Sequence, residues 1–428
     1  MQQYMNDSFE RYDMTEPPRH TKWYLRPLLR ILSLPDLLIH RNRLTKAGME
    51  NIKPPYLLLC NHNAFMDFKV AVKAISPYCA NYVVAIDGFI GREKLLRDIG
   101  CICTRKFTSD ITLVRNLAQT VKNGDVAIMY PEARYSLCGT TAVLPESIGK
   151  LAKLLKVPVV TLMCHGHHVN SPFWNLRDRR VAPTEAEMEL LLTPGQVAEK
   201  SVEEINRLIV DKFQYDDYQW LYDRKISIKY KKRAEGLHKI LYKCPGCGTE
   251  FKMGAKGTEL FCNSCGSRWL VNEYMRLIPE SPAQKGLEHV PDWYEWERAE
   301  VRKEIEAGTY SSGTLRMHVK SLPNAKKFID LGKGTLVHDM DGFRAKCTAP
   351  DGTEYEMHKS VPSLYSCHIE YEYLGKYGDC VDLNTLTDTW YVFPDEEDLA
   401  VTKMALATEE LYFYDKKEKG REIKPGLA

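Results

Sequence analysis

A chain of 428 residues is too long for one compact core, so two or three domains are expected. Apolar residues at 44% and charged residues at 27% are ordinary for a water-facing globular protein. With 59 basic against 57 acidic side chains the net charge is +2, which excludes a chain built to coat nucleic acid, and no nucleic-acid partner is expected. Residues 1–20 read as a polar tail without the basic-then-apolar order of a signal peptide, and no apolar run approaches the roughly 20 residues of a membrane span. The expected location is the cytoplasm, where the 13 cysteines would be reduced.

Residues 22–39 carry apolar side chains at helical spacing, with Arg26 and Arg30 between them and Trp23 and Tyr24 at one end. This is the composition of a helix lying in a membrane interface; a core-packing helix is the other reading. The expected location is therefore peripheral, on the inner face of the membrane. Strand-like runs at 56–60, 81–86, 125–130 and 157–163 alternate with helix-like runs at 67–75, 92–99, 111–123 and 147–155. Alternation of this kind predicts an α/β domain over 21–223, a mostly parallel sheet flanked by helices. Residues 184–213 are expected to add more helix, interrupted at Thr193-Pro194-Gly195, with Ser201 as an N-cap.

The stretch 224–243 is a basic linker, read as a solvated face or a contact for anionic headgroups. A cysteine module spans 244–275 and a charged helical linker 276–308. From 309 to 428 short strand-like runs return: a hairpin over 347–355 closed by Pro350-Asp351-Gly352, runs at 366–374 and 389–393, and a closing helix over 396–410. This small β-rich domain resembles a pleckstrin-homology-type fold, which implies docking to a membrane or a partner.

The segment Asn61-His62-Asn63-Ala64-Phe65-Met66-Asp67 begins where the strand at 56–60 ends, and of 12 histidines His62 alone has Asp five residues on. A strand's C-terminal end is where open α/β sheets bind ligands. There Asp67 can orient one imidazole nitrogen of His62 while the other takes a proton from a substrate hydroxyl. Backbone N–H groups after this strand are candidates for stabilising an oxyanion. Arg105 and Arg134 follow predicted strands near the same edge, where a guanidinium suits a phosphate, and Glu132 is placed to hold an arginine or a glycerol hydroxyl. His165, His167 and His168 read as a loop of partly exposed imidazoles.

In order and spacing these segments resemble the glycerolipid acyltransferase family, which includes the 1-acylglycerol-3-phosphate acyltransferases. Its four motif blocks are matched over residues 20–220: Asn61 to Asp67; Gly100-Cys101-Ile102-Cys103-Thr104-Arg105-Lys106; Tyr130-Pro131-Glu132-Ala133-Arg134-Tyr135-Ser136; and Val157-Pro158-Val159-Val160-Thr161-Leu162. The resemblance implies catalysis by His62 and Asp67. It implies substrate contacts from Asn61, Gly100, Arg105, Lys106, Glu132, Arg134, Ser136 and Pro158. The substrates implied are a lysophospholipid acceptor, 1-acylglycerol-3-phosphate, and a donor that is acyl-CoA or an acyl carrier protein. Two departures stand out. The basic residue expected six places after Gly100 is Lys106, with Arg105 one place before it. Ala133-Arg134-Tyr135 stands where the family has Gly-Thr-Arg.

Cys244-Pro245-Gly246-Cys247 and Cys262-Asn263-Ser264-Cys265 are two Cys-x2-Cys knuckles. Four thiolates complete a tetrahedral shell, so one structural zinc ion in a zinc ribbon is expected, with no open position for chemistry. Two other classes compete with the enzyme: a non-catalytic lipid-binding or scaffolding protein, and a zinc-ribbon regulatory protein.

Overall fold

The computed structural model describes residues 9–176, 180–281, 286–395, 401–424 and 426–428. The chain forms two compact units. The first holds 12–172, 180–220 and the last three residues. The second holds the rest of the described chain, most of it between 221 and 424.

The first unit begins with α1 (Leu25–Ile39) and β1 (Arg43–Ala47). There follow β2 (Leu57–Cys60), α2 (Met66–Ile75), β3 (Ala80–Ala85), α3 (Glu93–Ile99) and β4 (Cys101–Thr104). Next come α4 (Ile111–Lys122), β5 (Val126–Met129), α5 (Ser147–Leu155), β6 (Val159–His165) and α6 (His167–Asn170). The unit continues through β7 (Glu185–Leu192), α7 (Pro194–Glu199) and α8 (Val202–Lys212), and α9 (Asp217–Asp223) follows. The sheet order is β1-β7-β6-β2-β5-β3-β4. From β6 to β4 every neighbouring pair is parallel, because each strand is followed by a crossover helix that returns the chain to the same end. β7 is antiparallel to β6 and parallel to β1, so the sheet is mixed at this edge.

β7 corrects the expectation of helix over 184–213. Glu185–Leu192 is a strand whose buried and partly exposed positions include Ala186, Met188 and Leu192 facing the core. Its charged residues alternate with apolar ones at period 2, the pattern of a half-buried strand. Beyond it the punctuation holds: Thr193 and Ser201 each close a capping box with the residue three places on. Residues 12–20, expected as tail, run across the domain instead, together with Thr21. Asn81 Nδ2 donates to the Arg19 carbonyl at 2.8 Å and Thr21 Oγ1 to the Ile99 carbonyl at 2.8 Å. The first eight residues of the expected tail lie outside the described residues.

The second unit opens with β8 (Met253–Lys256), β9 (Glu259–Cys262), β10 (Arg268–Val271) and β11 (Leu277–Pro279), an antiparallel sheet in the order β11-β10-β9-β8. The ribbon thus extends past 275 into the segment read as helical linker; α10 (Val290–Glu306) follows. The basic stretch 224–243 is no free linker. Ile228, Ala234, Leu237, Ile240 and Leu241 are buried, and Arg233 Nε donates to the Val271 carbonyl at 2.7 Å. Seven more strands complete the unit: β12 (Leu315–Ser321), β13 (Ile329–Asp339), β14 (Gly342–Thr348), β15 (Glu354–Ser360), β16 (His368–Glu370), β17 (Cys380–Asn384) and β18 (Thr389–Pro394). They form one antiparallel sheet ordered β15-β14-β13-β12-β18-β17-β16. The hairpin at Pro350-Asp351-Gly352 joins β14 to β15, with Cys347 opposite Tyr355. The closing helix α11 is described over Val401–Glu418; residues 396–400 of the expected helix lie outside the described residues.

Candidate active site

β2 is buried along its whole length, and the chain leaves it at the C-terminal edge of the parallel strands. Asn61 fixes the exit. Its Oδ1 accepts the Cys164 N–H at 2.7 Å and its Nδ2 donates to the Cys164 carbonyl at 2.8 Å, so the buried side chain is a tie to β6. His62 is anchored through its backbone. Its N–H donates to Glu132 at 3.0 Å, and its carbonyl accepts from Ser136 N–H at 2.8 Å.

The helix α2 then carries Asp67 back towards His62. Asp67 Oδ2 accepts from His62 Nδ1 at 3.1 Å, from Asn63 N–H at 2.6 Å and from Ala64 N–H at 3.0 Å. Oδ1 faces His167 Nδ1 at 2.5 Å. Burial by itself would push this carboxyl up, but the hydrogen bonds from His167 and His62 outweigh it and bring the pKa down to about 2. Asp67 is therefore an anion. His62 Nδ1 facing it carries the proton, and its Nε2 holds a lone pair with no hydrogen-bond partner among the described residues. The ring is partly exposed and lies between Tyr130, stacked at 4.1 Å, and Tyr135 at 4.3 Å. The N–H groups of His62, Asn63 and Ala64 are all engaged by carboxyl oxygens, which removes them as oxyanion donors.

Glu132 and Arg134 follow β5, and Arg105 follows β4, so all three stand at the same edge as His62. Glu132 is fully buried, accepting from His62 N–H and, at 2.9 Å, from Ala142 N–H, with Tyr215 Oη 3.3 Å away. It braces the loop under His62. Burial pushes its pKa up to about 8, against the pull of those donors and of the Arg134 charge. Ala133 has φ +55°, the left-handed conformation glycine takes without strain and which costs other residues about 1–2 kcal/mol. Its backbone thus matches the glycine of the resembling family although its side chain does not. Arg105 and Arg134 are almost entirely buried, while Lys106 is partly exposed. Ser136 Oγ donates to the Thr140 carbonyl at 2.6 Å.

Two expected contacts fall at the wrong end of the sheet. Pro158 precedes β6 and its carbonyl accepts from Leu57 N–H at the start of β2, five residues, or roughly 16 Å, before His62. Gly100 precedes β4. It ends α3 at φ +102°, where a Cβ would meet the Ala80 carbonyl at 2.6 Å. Both are conformational residues. The histidines after β6 also differ from expectation: His167 and His168 are buried, not partly exposed. His167 is the site residue that spacing alone could not reveal, since it lies 100 residues from Asp67.

The four knuckle sulfurs lie within 4.8 Å of one another. Cys244 and Cys265 Sγ are 3.7 Å apart, and Cys247 and Cys262 Sγ 3.8 Å, too far for disulfides. Thiolates about 2.3 Å from a tetrahedral zinc stand about 3.8 Å from one another, so the four residues fit that ion. Gly248 and Gly266 close the turns, donating to the carbonyls of Cys244 and Cys262.

Residues 43–165 match the family model described as Acyltransferase. No curated protein matches the chain significantly. A similar solved chain is the 1-acyl-sn-glycerophosphate (LPA) acyltransferase PlsC from Thermotoga maritima, at 16% identity and a TM-score of 0.37, covering 44% of this chain and 77% of that one. Residues 43–165, which hold both His62 and Asp67, thus form a domain of the acyltransferase family.

Proposed function

We propose that the protein is an O-acyltransferase that moves a fatty acyl group from acyl-CoA or an acyl carrier protein to the hydroxyl of a lysophospholipid, with 1-acylglycerol-3-phosphate as acceptor. The observation that carries this reading is the 3.1 Å His62–Asp67 pair, whose second imidazole nitrogen is unpartnered among the described residues. His62 Nε2 takes the proton of the acceptor hydroxyl as its oxygen attacks the thioester carbonyl. The tetrahedral intermediate expels the thiolate, and the imidazolium returns the proton to sulfur. Asp67 stabilises the charged ring throughout. Arg105, Lys106 and Arg134 are the proposed source of the acceptor's phosphate contacts, by motif resemblance.

The chain docks on the cytoplasmic membrane face through α1, whose Trp23, Ile31, Leu32 and Leu38 neighbourhood is strongly exposed. No helix among the described residues is long and apolar enough to cross a membrane. Cys244, Cys247, Cys262 and Cys265 hold a structural zinc ion. The sheet of β12–β18 with α11 is a docking module of pleckstrin-homology type.

The test is transfer of a labelled acyl chain from acyl-CoA and from acyl carrier protein to lysophosphatidate, with wild type and His62→Ala compared. Transfer lost in a folded His62→Ala variant supports the reading. Wild type inert with both donors across several lysolipids overturns it in favour of a lipid-binding scaffold.

A further inference from the structure

We propose that His167 is a positioning residue, an imidazole donor on the far side of Asp67 that keeps the carboxylate ionised and fixed while His62 exchanges its proton. This rests on the reading of His62 as base and Asp67 as its orienting partner. Asp67 stands between two imidazoles. Oδ2 faces His62 Nδ1 at 3.1 Å and Oδ1 faces His167 Nδ1 at 2.5 Å. Both His167 and Asp67 side chains are wholly shielded from solvent, whereas His62 is partly open. The two histidines therefore divide the work. His62 meets substrate, and His167 meets only the carboxylate.

The fold holds His167 in this place. Gly166, at φ +82°, starts α6 where a Cβ would meet Trp220 at 2.8 Å. On either side of His167, the N–H groups of Gly166 and His168 donate to Asp217 at 3.0 and 2.9 Å. The loop is thereby pinned with Nδ1 on Asp67. His167 Nε2 is buried with no hydrogen-bond partner among the described residues. A bare lone pair in that position costs less than an unmade N–H donor, which makes Nδ1–H the proton donated to Asp67.

An anion in a dry site is costly unless donors saturate it. Asp67 has four: His62, Asn63 N–H, Ala64 N–H and His167. Only the His167 donor can be removed without touching the catalytic turn itself. Without it, Asp67 becomes more basic. A more basic carboxylate either takes up a proton at higher pH or raises the pH at which His62 loses its own, and both move the acid limb of the rate profile upwards. The other titratable groups around Asp67 are Cys60 on β2, Tyr130 after β5, Cys164 on β6, His168 on α6, Tyr215 and Asp217. Burial holds the thiols and phenols neutral, and it lowers His168 to about 3. Asp217, raised to about 7 by burial, is the one of these that titrates near neutral pH, and because it also holds the Gly166 and His168 N–H groups, the His62 imidazole itself is the group to follow.

The experiment compares wild type, His167→Phe and His167→Asn. Phe keeps the ring and loses the donor; Asn offers an amide N–H near the Nδ1 position. We expect His167→Phe to lower kcat by about tenfold to a hundredfold, the scale of a misplaced catalytic group, with KM for lysophosphatidate little changed and the acid limb moved to higher pH. We expect His167→Asn to recover most of kcat and the original limb. An NMR titration of the His62 imidazole reads the same coupling without turnover, so the inference is decided even if wild type transfers no acyl chain. A His62 titration and acid limb unchanged in folded His167→Phe overturn it. So does a loss in His167→Asn equal to that in Phe, which makes His167 a packing residue. Should the Phe variant not fold, a His62 titration in His167→Asn that departs from wild type also overturns it.

Discussion

His62 owes its position to groups that never meet substrate. Glu132 illustrates this, because one buried carboxyl group grips the N–H of His62 and that of Ala142 across the loop. Glu132→Gln must turn an amide NH2 towards one of these donors, so we expect a loss of about 1–3 kcal/mol. The pH sign follows from a folded pKa raised to about 8 from 4.5. Between those values the folded state holds a proton that the unfolded state has released, so this group's contribution to stability is complete below 4.5 and is lost as pH rises through about 8. Denaturant titrations across that window should show a one-proton decline in wild type that is absent from Glu132→Gln; parallel profiles would refute the assignment. His62, Asp67 and the chemistry they can do were legible as residue types at a strand end. That Gly100 and Pro158 fall at the opposite end of the sheet was not, since a motif records which residues occur together and not which end of a strand each occupies.

Among the elements, α1 is the exception to burial. Leu25, Ser33 and Leu37 face inward, while Ile31 is 62% exposed and Leu38 71%. Replacing Ile31 and Leu38 with Ser should leave thermal unfolding unchanged, because neither side chain supports the core. Full burial of such side chains is worth about 1.5–3 kcal/mol each, so binding to anionic vesicles should fall at least tenfold. Equal cosedimentation of variant and wild type would count against α1 as the membrane face. In the ribbon, four short strands have little core beyond Met253, Leu260, Trp269, Val271, Met275 and Leu277, and the ion is expected to supply the rest. Metal analysis should find one zinc per chain, with the ion lost in Cys262→Ser and 244–279 becoming protease-sensitive. A Cys262→Ser protein with full zinc would exclude these ligands. β7 shows the limit of pattern reading: Glu-rich alternation resembles a solvated helix until a neighbouring strand shows which face is covered.

At the scale of the molecule, the chain leaves the first unit within α9 and returns to it for its last three residues. Leu427 joins the core cluster of Leu144, Ile148, Ile209 and Phe213. Its neighbours lie along residues 144–146, with Ala428 N–H donating to the Leu144 carbonyl at 2.8 Å and Leu144 N–H to the Gly426 carbonyl at 3.0 Å. Leu427→Ala should destabilise the first unit by about 2–5 kcal/mol, the range for a buried leucine. The check is thermal unfolding together with amide exchange at 144–148. No change in either would mean that the terminal residues do not hold this loop.

The sequence by itself determined the alternation that makes a largely parallel sheet, the knuckles spaced for a tetrahedral ion, and a histidine and an aspartate facing each other across one turn. These rest on local periodicity and short spacing, which backbone geometry converts directly into shape. Tertiary structure alone decided that β7 reverses the sheet edge, that Leu427 closes the first core, and that His167 meets Asp67 from 100 residues away. Each depends on which distant segment covers a face or satisfies a buried charge, and that is settled when the chain packs, where every buried polar group must find a partner.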